Sequence, residues 1–140
     1  MSALLDSLAT MMAAIPGVEE TITNALDKPS KDSVVVLEYV GEVLQTPQEL
    51  PVTSVALGQK VAIGFHVAVG RDKGDADAAR DLAMNLSRKG RLALEKDNRL
   101  GGLVQAMELG ATRFNYAAWY GADYAVALLD VAVLTEEELS

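Results

Sequence analysis

The sequence predicts an α+β fold: an antiparallel or mixed β-sheet with two main helices packed mainly on one face. Three observations carry this. The first residues have a helical period of apolar side chains, the middle of the chain alternates strictly, and a long helical stripe is followed by more alternating segments. Helix, strands, helix, strands is the order that places helices on one side of a sheet. The 140 residues fit one domain spanning 1–140, and the half that are hydrophobic suffice for its core.

Leu4, Leu8, Met11, Met12 and Ile15 share one face of a helix expected from about Ala3 to Ala14, with Ser2 as a possible cap and Pro16-Gly17 as the stop. Val18 to Leu26 reads either way: Thr21, Ile22 and Thr23 favour a strand, while Val18 and Ile22 would share a helix face. Asp27 to Ser33 is a polar loop, and Val34 to Val40 is a strand. Thr46-Pro47 and Leu50-Pro51 argue against a central strand there, and Leu57-Gly58-Gln59 reads as a turn. From Lys60 to Val69, Val61, Ile63, Phe65, Val67 and Val69 take one face. Lys60, Ala62, Gly64, His66 and Ala68 take the other, a face small enough for close packing.

Gly70 to Asp75 is a polar turn, with Asp75 placed to cap a helix from about Ala76 to Lys96. Its stripe holds Ala79, Leu82, Ala83, Leu86 and Ala93. Gly90, on the same stripe, either ends the helix or lets something pack closely. After a loop from Asp97 to Gly102, a meander of three strands is expected: Leu103–Glu108, Thr112–Trp119 and Tyr124–Leu134, with turns at Leu109-Gly110 and Tyr120-Gly121. Both faces of the last strand are largely apolar, which predicts cover on both sides, and the acidic tail from Thr135 should fray. There is no internal repeat or low-complexity tract.

Composition excludes several chemistries. With no cysteine there are no disulfides, thiolate metal sites or cysteine nucleophiles, and one histidine cannot supply a multi-histidine zinc site. Twenty carboxylates against twelve cations give a net charge of −8, which disfavours gripping nucleic acid. No basic leader precedes the first apolar segment, and no stretch reaches the roughly 18 apolar residues of a membrane span, so a soluble, cytosolic chain is expected.

The motifs point away from catalysis. His66 sits mid-strand among small residues, as a packed or interface histidine does. Glu19-Glu20 and Glu136 to Glu138 read as solvated charge, and Asp75 as a cap. Counted from Asp72, the closing calcium-loop position falls on Ala83, which offers no ligand. Gly70 to Gly74 lacks the ending of a phosphate loop. No cofactor is expected. Phe114, Tyr116, Trp119, Tyr120 and Tyr124 crowd together; Phe114 reads as core, Trp119 and Tyr120 as core edge or interface. With Tyr116, His66 and the turn cations Arg71 and Lys73, they are the candidate protein-interface residues.

Several segments form a pattern. Asp77-Ala78-Ala79-Arg80-Asp81-Leu82-Ala83 opens a helix leading to Leu100-Gly101-Gly102-Leu103-Val104. An aromatic strand containing Asn115-Tyr116-Ala117 follows, then Tyr124-Ala125-Val126-Ala127-Leu128; upstream, the first helix ends in Ala14-Ile15-Pro16-Gly17-Val18. The pattern resembles the tail terminator and minor tail proteins of long-tailed bacteriophages; Glu42 to Lys60 departs from it. The resemblance implies a structural virion protein: a ring, usually a hexamer, that caps the tail tube, ends its elongation and joins the tail to the head–neck connector. Its partners would be other copies of itself, the tail tube protein and the connector protein. DNA would slide through an acidic lumen without specific binding, and the loops Gln45 to Thr53 and Gly70 to Gly74 would order on tube or neck. Alternatives are another neck or tail component, such as a head-closure or tube protein, or a small-molecule-binding or enzymatic domain using His66 and nearby acids.

Overall fold

The computed structural model describes residues 3–24, 26–45, 54–70 and 74–138, without the side chains of 44, 45, 54, 55 and 136–138. Two helices, α1 (Ala3–Ala13) and α2 (Ala76–Lys96), lie over a five-stranded sheet. Its strands are β1 (Glu20–Ile22), β2 (Ser33–Gln45), β3 (Ser54–Ala68), β4 (Ala106–Trp119) and β5 (Ala122–Glu138), in the spatial order β1-β2-β3-β5-β4. The short β1 runs parallel to β2, and every other pair is antiparallel, so the sheet is mixed and the fold is α+β. Among the described residues, no helix is long and apolar enough to cross a membrane.

One face of the sheet carries the core. Val35 and Leu37 of β2, Val61 to Val67 of β3 and Ala125 to Val133 of β5 alternate onto it and are buried against both helices. Helix α1 contributes Leu4, Leu5, Leu8 and Met12; the turn at Gly17, with φ +98°, sends the chain into β1. The ambiguity of Val18 to Leu26 resolves as strand because Glu20, Thr21 and Ile22 pair with Val34, Val35 and Val36.

Helix α2 has the expected bounds. The Asp75 carboxylate accepts the Ala78 N–H at 2.9 Å, satisfying a donor that the first helical turn leaves free. Its buried stripe runs through Ala79, Ala83, Leu86, Gly90 and Leu94. Ala93 is only half-buried; Leu94 takes the inner position instead. Gly90 does not end the helix. A Cβ there would lie 2.6 Å from Phe65 Cζ and 3.3 Å from Met12 Sδ, so the glycine makes room for Phe65, the largest fully buried side chain.

Four expectations need correction. Leu57-Gly58-Gln59 is not a turn but the interior of β3, where Leu57 pairs with Leu44 and Thr135 and long-range pairing on both sides overrides a lone glycine. Leu109-Gly110 is not a turn either. It is a bulge between Leu109 and Thr112 that keeps β4 continuous, with Arg91 of α2 donating to the Gly110 carbonyl, so the meander is a two-stranded hairpin. The acidic tail extends β5 as far as Glu138, opposite Ser54. β5 is covered on both faces only at its start: Tyr124 and Val126 are buried on the side away from the helices, but beyond them Leu128, Ala132 and Leu134 are half-exposed and Asp130 is exposed. The prolines Pro47 and Pro51 lie outside the described residues.

Candidate functional site

The side of the sheet turned away from the helices is partly open. Register builds it in rows. Val34, His66, Val126 and Asn115 lie side by side, and the next row is Val36, Gly64, Leu128 and Arg113. Gly64 and Ala62 leave a shallow groove of about 290 Å³ between taller neighbours that include His66, Trp119, Glu38 and Leu128.

At one end the aromatic residues close it. Trp119 packs against His66 at 4.9 Å and against Tyr124 at 5.3 Å between ring centroids. The hairpin turns tightly after Trp119, which pairs with Ala122. Tyr120 and Gly121 have φ of 51° and 75°, as a two-residue turn with right-handed strand twist demands. A tyrosine in that region costs about 1 kcal/mol or more. Its ring packs at a tilt against Trp119, 5.6 Å between centroids, and its hydroxyl donates to the Leu26 carbonyl at 2.9 Å.

Burial lowers the pKa of His66, because the imidazolium loses water; the hydrogen bond from Nδ1 to the Gly64 carbonyl, 3.1 Å, opposes this only in part. A nucleophile–base pair would need the imidazole bonded to a hydroxyl. Here the ring rests on aromatic neighbours and a backbone carbonyl, which orients it as a packing group. Among the described residues, no cluster of three His, Asp or Glu side chains could hold a metal ion.

The structure brings together His66, Trp119 and Tyr120 of the expected interface residues. Tyr116 is on the opposite face of β4, its ring edge-on to Phe114 at 5.0 Å and its hydroxyl donating to the Ala76 carbonyl at 3.0 Å. Phe114 is half-buried against the core, as expected. Arg71 and Lys73 lie outside the described residues.

Two exposed apolar groups escaped the sequence reading. Val40 and Val43 are 60% and 63% exposed on β2, whose edge away from β3 has no neighbouring strand beyond Val36 among the described residues. Leu92 is 55% exposed on α2. A helical wheel would have found Leu92, since it lies opposite the buried stripe; the valines read as core until the bulge at Val40 is known.

The chain matches no protein-family model and no curated protein.

Proposed function

We propose that this chain is the subunit of a homo-oligomeric ring, a hexamer by the resemblance described above, that caps a phage tail tube and joins it to the head–neck connector. The observation that supports it most is a sheet finished on one face only, bounded by long edges. The outer edge of β2 from Leu37 to Gln45 and the outer edge of β4 have no strand neighbour among the described residues, and between them lies a groove of mostly half-exposed residues. Unpaired strand edges template pairing with other chains, and a protein that keeps them long needs partners there or pairs by accident. The net charge of −8 suits a part beside moving DNA that must not retain it. On this reading the protein is structural, not an enzyme, and acts in the virion's tail and neck.

The decisive experiment disrupts the gene in its phage. Tails of uncontrolled length or heads without tails are expected, and normal virions would exclude the reading. In solution, purified protein should sediment as a ring, alone or on added tail tubes. An activity abolished by His66→Ala with the fold intact would favour an enzymatic domain instead.

A further inference from the structure

We infer that two copies of this chain pack open face to open face, about a two-fold axis that crosses the strands between Ala62 and Lys60. The inference does not rest on the ring reading, because pairing by faces leaves the outer edges of β2 and β4 free.

The face has the size and composition of an interface. Val36, Leu128 and Leu134 are half-exposed on it. Val43 pairs with Gly58, and Val40 lines a groove with Lys60, Asp130 and Ala132, so these two exposed valines stand on the same side. Four strands about 4.8 Å apart, each about ten residues long at about 3.4 Å per residue, cover about 650 Å² per copy. Two copies would bury about 1,300 Å², within the roughly 1,200–2,000 Å² of stable interfaces.

Charge selects a second copy. Between the rows of Val34 and Val43 this face holds two cations, Lys60 and Arg113, against three carboxylates, Glu38, Glu108 and Asp130. It therefore carries −1 of a net charge of −8. Copies of an acidic chain repel one another, and a nearly neutral face removes most of that local cost. Arg113 and Asp130 pair within the chain at 3.1 Å. Lys60, Glu38 and Glu108 take part in no ion pair among the described residues. A polyanion meets more carboxylates than cations here, which sets nucleic acid aside.

Register supplies the fit. Glu38, Ala62 and Asp130 form one row; Lys60, Ala132 and Glu108 lie in the next. The axis exchanges these rows between copies. Each Lys60 then stands over the other copy's Ala62, whose methyl group leaves room for it, between that copy's Glu38 and Asp130. Each Glu108 comes beside the other copy's Arg113–Asp130 pair, where the guanidinium can serve both carboxylates. Val40, the extra residue of the bulge in β2, falls between the two rows and meets its own counterpart. The strands of the two sheets run aligned about 10 Å apart, as in a β-sandwich.

A charge swap tests this. Lys60→Glu sets a carboxylate between two others at both symmetry-related sites and should weaken self-association by about 100-fold, read by sedimentation at several concentrations. Adding Glu38→Lys to the same chain should recover at least about tenfold of that loss. Both positions are exposed, so both variants should keep the wild-type denaturant midpoint. The chain has no cysteine, so Val40→Cys gives a single thiol beside the axis and Leu92→Cys a single thiol on exposed α2 surface. A short bismaleimide should join two copies through the first and not through the second. A wild-type chain that stays monomeric at all concentrations overturns the inference; shielding of the Val40→Cys thiol only by added tail tubes would then assign the face to a different protein. Crosslinking through Leu92→Cys alone, or a Lys60→Glu chain that associates like wild type, overturns it too, and a ring that still forms in that variant leaves the ring reading standing. Recovery by Glu38→Lys and crosslinking through Val40→Cys, in a two-subunit particle that closes no ring alone or on tubes, would keep this interface and reject the ring.

Discussion

Along β3, neighbouring residues enter two different environments. Val61, Ile63, Phe65 and Val67 are buried under the helices, whereas Ala62, Gly64 and His66 between them line an open groove. The same backbone thus carries a close-packed face and a face with space on it. A close-packed face has no tolerance, because a lost or added methylene changes contacts that cannot relax. On the open face a side chain can move toward solvent. Stability should therefore reside mainly on the helix side.

The largest contrast is expected from truncation. Phe65→Ala removes the largest fully buried side chain and should cost about 3–5 kcal/mol. Leu128→Ala, at a half-exposed site on the groove, should cost less than half of that. Denaturant midpoints at unchanged slope measure both, and equal losses would mean that the open face is as tightly packed as the core.

Adding a methyl group sharpens the comparison. Gly90→Ala improves helix propensity by about 1 kcal/mol, but its Cβ meets Phe65 at 2.6 Å inside the core, so a net loss of about 1–3 kcal/mol is expected. Gly64→Ala makes an equally short contact, with Cε1 of His66, yet that ring borders the groove and can swing away. Its loss should be under about 1 kcal/mol. The displacement should show as a changed Trp119 fluorescence, since the two rings touch.

Acidification probes the aromatic end of the open face. Burial places the folded pKa of His66 below its ordinary value near 6.5, so the unfolded chain takes up the proton first as pH falls. The contribution is complete above about 6.5 and is lost below it, at no more than about 1.4 kcal/mol per pH unit, until the folded ring also protonates. His66→Phe should flatten the stability profile in that window relative to wild type. Identical profiles would show that the ring titrates freely in the folded protein.

The smallest effect is expected from the exposed pair of Arg113 and Asp130, 3.1 Å apart on the open face. Arg113→Ala should change stability by about 1 kcal/mol or less, and by less still in high salt.

The sequence was most legible where local signals agreed. The Asp75 cap and the apolar stripe after it placed α2 from Ala76 to Lys96, and alternation placed the two faces of β3 from Lys60 to Ala68. It was least legible where long-range pairing overruled a local breaker. Gly58 and Gly110 both mark turns in isolation, but in the sheet one sits inside a strand paired on both sides and the other in a bulge held by Arg91. Of the candidate interface residues, His66 and Trp119 were visible as types but not as neighbours: 53 positions separate them along the chain, and only the pairing of β3 with β5 and of β5 with β4 brings their rings together. The sequence by itself determined the α+β class, the helix positions and the alternation. Which face the helices would cover, and which edges would stay unpaired, depended on strand order. Hydrophobic period specifies the two sides of each strand, but it does not specify which strands become neighbours.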